Sequence, residues 1–276
     1  MLPKELAELV LEFLPNFELL EWIDIENLSW RMLSTNCNAV DLLKQNQDKI
    51  NWSCLSANPA AIDFLEKNQD KIDWVWLSLN TAAAHLFEQN CLLPDKICWD
   101  LVSKNPAAID LLARNQDKIN WDFLSQNPAA MDLLEQNKDK ISWYYLSANP
   151  AAIKLLLENE DKINWDTLSQ NPAAIQLLAH NKHKINWSVF CQNPMAIDLL
   201  EQNMRKIDEN FLSKNLGAIH LLEQNEYYNW SSLSQNTAAI NLLKPHKHNI
   251  NWYLLSANKS IFYKTEKINI CTLLTE

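Results

Sequence analysis

The residues of this 276-residue chain whose types could do chemistry are six histidines, six cysteines and a regularly spaced serine. His180 and His183 stand at i and i+3, with His246 and His248 further on. A closed metal site needs four converging ligands, and these are two separate pairs, so the expectation is no metal and no cofactor. Cys37, Cys54, Cys91, Cys98, Cys191 and Cys271 form no Cys-x-x-Cys pair and fall at different phases of the pattern described below. They read as free thiols of a reduced, intracellular protein rather than a disulfide framework. A serine follows Trp-x-x-Leu again and again, as at Ser56, Ser125 and Ser169. Such recurrence makes it structural, not a nucleophile. Carboxylates on the polar helix faces have no pocket to shift their pKa values. The catalytic expectation is therefore none.

Composition narrows the classes further. Gly217 is the one glycine, which excludes glycine-rich dinucleotide and phosphate loops. The net charge of -10, with lysines set mostly beside aspartates, points away from nucleic acid. No stretch approaches the roughly 20 apolar residues of a membrane span. Glu5, Glu8 and Glu12 break the first apolar run, so a secretory signal is not expected.

What positions these residues is a repeat of 22 residues, marked by Trp30, Trp52, Trp74, Trp99, Trp121, Trp143, Trp165, Trp187, Trp230 and Trp252. In residues 48–69, Asn58-Pro59 is a helix start: Asn caps the free N–H groups, and Pro fits the first helical position. Ala61, Ile62 and Leu65 then share one face, and Asp63, Glu66 and Lys67 the other. Asn68 closes the helix, in the left-handed conformation that Gly usually supplies. Upstream, Asn51 caps a shorter turn carrying Trp52 and Leu55, short enough to be 3₁₀. A brief strand at Lys-Ile-Asn-Trp is the alternative. Neither helix stands alone at this length, so stability must come from neighbouring units.

The expected core column is Trp52, Trp74, Trp99, Trp121, Trp143, Trp165 and Trp187, with Leu, Ile and Ala beside it. The Asp-Lys pairs, such as Asp48-Lys49 and Asp139-Lys140, read as a solvated face.

Specificity should lie where the units differ. Two columns vary most: one after the Ser (Ala57, Lys104, Gln126, Lys214) and one after the Ile (Asp63, His85, Lys154, Gln176). Trp76, Tyr144, Tyr145, Tyr227, Tyr228 and Tyr253 add aromatics at exposed phases and are the candidate partner-binding residues. Local packing explains them equally well. The period slips at Cys91-Leu92-Leu93-Pro94, at Glu209 in a Trp position, and at Leu216-Gly217, so residues 204–230 are expected to form the weakest interface and to bend the stack.

The resulting fold expectation is all-α: short α/3₁₀ helix pairs stacked in a curved right-handed superhelix, a single elongated domain. Residues 1–27 would be an N-terminal capping helix, 28–258 the repeats and 259–276 a capping unit. Ten to eleven units at about 9 Å each give a length near 100 Å.

Ile119-Asn120-Trp121-Asp122-Phe123-Leu124-Ser125-Gln126-Asn127-Pro128-Ala129-Ala130 resembles the tandem-repeat proteins that giant DNA viruses encode in many copies. The resemblance covers about residues 28–258 and supplies no catalytic residues. It implies a viral chain in host cytoplasm, nucleus or virion. The layout also looks like leucine-rich-variant repeats. Leu2-Pro3-Lys4-Glu5-Leu6 with Phe13-Leu14-Pro15 resembles the opening of an F-box, without its later basic stretch. The functional expectation is a non-enzymatic scaffold for protein partners. The alternatives are an F-box-type ubiquitin-ligase adaptor and a structural virion component.

Overall fold

A computed structural model of the chain describes residues 16–89, 96–224 and 228–265. In the unit around Trp52, an α-helix runs over Trp52–Ser56. A 3₁₀ turn follows at Pro59–Ala61, then a second α-helix at Ile62–Glu66 and another 3₁₀ turn at Gln69–Lys71. The class is the all-α repeat expected. The assignment of 3₁₀ differs, because the Trp segment is α and the Pro-Ala-Ala start of the second helix is 3₁₀. The only strands among the described residues are β1 (Asn16–Leu19) and β2 (Phe262–Thr265).

Three asparagines per unit control the turns. Asn51 Oδ1 accepts from the Cys54 N–H at 2.9 Å, capping the Trp helix. Asn58 Oδ1 accepts from the Ala60 N–H at 3.0 Å, with Pro59 at the first helical position. Asn68 acts differently from the expectation. Its φ is -132° and ψ 47°, and no described residue has positive φ. It ends the second helix with its side chain, donating from Nδ2 to the Phe64 carbonyl at 2.8 Å. The same i to i−4 bond recurs at Asn46, Asn115, Asn137, Asn159, Asn181 and Asn203. A side-chain donor that satisfies a terminal carbonyl removes the need for a left-handed residue, which explains how the repeat manages almost without glycine.

The buried column consists of Leu, Ala and Ile, as in Ile50, Leu55, Ala61 and Leu65. None of Trp52, Trp74, Trp99, Trp121, Trp143, Trp165 and Trp187 lies inside it. Each is half-buried and packs against the core from its edge. The reason lies in the next unit. Lys140 Nζ stands 4.4 Å from the Trp121 ring centroid. Six more Trp rings carry a Lys in the same way at 4.2–5.9 Å. An ammonium over an indole face must keep its water, so the pair sits at the rim of the core. The Lys of the Asp-Lys column is thus a contact between units.

The closest contact between units is polar. Asn58 Nδ2 donates both its hydrogens to the preceding unit, to Ser34 O and Asn36 O, each at 3.1 Å. Ser56 Oγ donates to Trp52 O at 2.8 Å and accepts the Asp73 N–H of the following unit at 3.0 Å. Both bonds repeat in every unit, with Cys191 Sγ replacing the hydroxyl once, 3.4 Å from the Asp208 nitrogen. Residues 204–224 carry the Asn ladder without interruption: Asn215 donates to Cys191 O and Asn193 O at 2.9 and 2.7 Å.

The ladder has no ends. Asn36, in the first unit, donates to Ser256 O and Asn258 O of the last unit at 3.0 and 3.1 Å. The Ser29 N–H donates to Ser256 Oγ at 2.8 Å. Eleven asparagines therefore form one closed cycle. β1 and β2 pair antiparallel across the seam, Asn16 opposite Thr265 and Leu19 opposite Phe262. The elongated shape with two capped ends is corrected accordingly: the chain is a ring, because its terminal units supply each other's missing neighbour. The residue ranges assigned to caps hold this seam in residues 16–27 and 259–265. The N-terminal capping helix expected over residues 1–27 is not found in its described part, where Asn16–Leu19 is β1 and Ile25–Asn27 a 3₁₀ turn; residues 1–15 lie outside the described residues.

Eleven units close a circle, so each turns about 33° relative to its neighbour. Neighbouring Trp helices and neighbouring Pro turns approach each other much more closely than the second helices do. In a ring the closer elements lie at the smaller radius. The Trp helices therefore line the inside and the second helices the outside. At about 9 Å between neighbours, eleven Trp-helix axes lie on a circle of radius about 16 Å. Taking off a helix radius of about 5–6 Å leaves an opening about 20 Å across. The expected length near 100 Å becomes a circumference.

Candidate binding surface on the inner wall

Ring closure gives each variable column a place. On a Trp helix, Leu124 and Ser125 point into the core, with the ladder residue Asn127 just beyond them. That turns Asp122, Phe123 and Gln126 toward the opening. The column after the Ser thus belongs to the inner wall, and the column after the Ile to the outside. On the outside, His85 and His220 bridge to Glu66 and Glu201 of the preceding units.

Of the six predicted binding residues, three are exposed on the inner wall: Trp76 at 41%, Tyr144 at 54% and Tyr253 at 49%. Tyr145 is half-buried, edge-on to Tyr144 at 5.1 Å and tilted against Phe123 of the preceding unit at 6.5 Å. Tyr228 is half-buried against the core and meets Trp230 of its own unit at 5.1 Å. Tyr227 lies outside the described residues. The sequence reading missed Val75, Met195 and Leu216, which are 49%, 59% and 51% exposed. A signal for them existed. Val75 shares the position after Trp with Tyr144 and Tyr253, while Met195 and Leu216 replace the Ala and Pro of the Pro-Ala pair. Leu216 also borders a shallow cavity of about 200 Å³ with Lys214, Ser232 and Gln235.

The residues first considered for chemistry are dispersed. His180 Nδ1 is 2.7 Å from its own helix's Gln176 O, and the His246 ring lies 5.2 Å from that of Trp230. Among the described residues, no group of three or more His, Cys, Asp or Glu is placed to hold a metal ion. Cys37, Cys54, Cys98 and Cys191 are free thiols, and burial pushes the Cys191 thiol pKa up. At the seam, the Tyr263 hydroxyl donates to Glu18 Oε2 at 2.8 Å, which raises the Tyr263 pKa. No described helix is long and apolar enough to cross a membrane.

No family model, curated protein or solved structure matches this chain.

Proposed function

We propose that the chain is a non-enzymatic scaffold that binds protein partners within its ring. The observation that carries this reading is the exposure of Trp76, Tyr144 and Tyr253 on the inner wall, at 41%, 54% and 49%. Large aromatics held on short, fixed helices lose little entropy on binding and are frequent anchors of protein interfaces. A rigid cycle of hydrogen bonds supports such a wall, because it holds the anchors at fixed spacing. The Trp-x-x-Leu-Ser-x-Asn-Pro motif supports placing the chain among the repeat proteins of giant DNA viruses, with host or viral proteins as targets.

Affinity capture with a Trp76→Ala/Tyr144→Ala/Tyr253→Ala variant tests the reading. The expected result is loss of the partners retained by the parent chain. An unchanged partner set from a folded variant overturns it. The F-box-like residues 2–15 support a second reading, a ligase adaptor. It predicts a captured adaptor that disappears when residues 1–15 are removed. Capture of capsid proteins would favour a virion role.

A further inference from the structure

We propose that one arc of the inner wall, formed by Asp100, Asp122, Tyr144 and Asp166, binds a lysine- or arginine-rich segment of a partner polypeptide. The inference rests on the protein-binding reading and specifies its partner. The four residues occupy the same position, directly after the Trp, in four consecutive units. All four side chains are exposed. Asp100 and Asp166 each accept one bond, from Asn120 at 2.8 Å and Asn186 at 2.9 Å of the following units. Both bonds fall on Oδ1. The Asp122 carboxylate takes part in no hydrogen bond or ion pair among the described residues, and none of the three aspartates has a cationic partner there.

Few cations are placed to neutralise this arc. Residues 121–126, 143–148 and 165–170 hold no Lys, Arg or His. Of the lysines three residues ahead of a Trp position, Lys140, Lys162 and Lys184 stand over Trp121, Trp143 and Trp165, and Lys118 lies 3.5 Å from its neighbour Asp117. Lys104, four residues after Asp100 on the same helix, is the one basic residue on the Trp helices of these four units. The result is unbalanced negative charge around an aromatic ring. That ring is pre-positioned: Tyr144 meets Tyr145 edge-on at 84°, and Tyr145 is wedged against Phe123. Carboxylates with an exposed aromatic face match an ammonium or guanidinium on both counts, through charge and through cation–π attraction. The chain's net charge of -10 adds long-range attraction for a cationic partner and repels phosphate chains.

The shape of the ring selects the form of the ligand. An opening about 20 Å across takes one helix of 10–12 Å diameter or an extended strand, and excludes a folded domain. The partner therefore presents a single basic segment.

Fluorescence anisotropy with a short labelled peptide of alternating lysine and alanine tests this, beside a glutamate–alanine peptide of equal length. The intact chain should bind the basic peptide, more weakly as salt rises, and should not bind the acidic one. Asp122→Asn/Asp166→Asn and Tyr144→Ala should each raise Kd at least about tenfold. Asp132→Asn, on an exposed outer helix, should leave it unchanged. Equal affinity for both peptides, no binding, or equal loss with Asp132→Asn overturns the proposal. Captured cellular partners that survive Asp122→Asn/Asp166→Asn would refute the basic arc and leave the protein-binding reading standing. Absence of any partner for the parent chain would refute both.

Discussion

Two junctions in the ring can be compared directly: the internal one between the units of Trp121 and Trp143, and the closing one between the last unit and the first. At the internal junction, Asn149 donates to Ser125 O and Asn127 O at 3.0 and 3.1 Å, and the Ser142 N–H to Ser125 Oγ at 3.0 Å. At the closing junction, Asn36 donates to Ser256 O and Asn258 O at the same two distances, and the Ser29 N–H to Ser256 Oγ at 2.8 Å. The hydrogen bonds match although no connector joins the closing pair. The cation–π contact does not carry over. Asn27 stands where the Lys of the first unit would be, and no described Lys lies over Trp252. In its place come the β1–β2 pairing and Lys247, 5.7 Å from the Trp22 ring. Docking of unit on unit is therefore written in the Asn and Ser of each unit and not in the connector. The Trp–Lys pair is an addition that several junctions lack, among the described residues those after Trp99, Glu209 and Trp230 besides the closing one.

The sharpest way to break the comparison is the ladder itself. Asn149→Ala and Asn36→Ala each remove a cap bond and leave two carbonyls short of a buried donor. Each should cost about 3–5 kcal/mol in urea denaturation. A loss at Asn36 below about 1 kcal/mol, with the full loss at Asn149, would mean that the closing junction is weaker than its geometry. Trp121→Ala comes next, at about 2–3 kcal/mol, because a half-buried indole leaves a smaller cavity than a core one. A loss of 5 kcal/mol would return the Trp column to the core. Lys140→Ala is the smallest, about 0.5–1 kcal/mol, and most of its effect should vanish in a Trp121→Ala background, leaving only the exposed bond to Asn137 Oδ1 at 3.1 Å. Additive losses would show that Lys140 acts on something other than the indole.

Much of the unit was legible before any coordinates, because its determinants are local. Asn58-Pro59 marks a helix start by chemistry confined to a few residues, and Ala61, Ile62 and Leu65 reveal their shared face by spacing, Ile62 at its half-buried edge. Ring closure was not legible. It depends on about 33° of turn accumulating over eleven units, set by how closely the inner elements pack relative to the outer ones, and no single position states that angle. The depth of Trp121 was misjudged for a related reason. Periodicity shows that a residue packs, but its exposure depends on Lys140, 19 residues away and one unit on. Asn68 misled because its usual helix-ending role is a backbone conformation, whereas here its amide does the work. The inner wall was half visible: Tyr144 and Tyr253 stood out by type, but their facing a common opening follows only from closure.

Closure also changes how the molecule can come apart. A terminal unit of a linear stack has one neighbour, so it frays first and unfolding spreads inward from it. In this ring every unit has two neighbours, since Asn36 gives the first unit the same hold on the last that Asn149 has on its predecessor. Opening any unit breaks two interfaces at once, which leaves unfolding no frayed edge from which to unzip. The contacts do not depend on which connector is left open either. A chain with residues 16 and 265 joined and a new start cut between two other units would keep the same cycle of eleven asparagines.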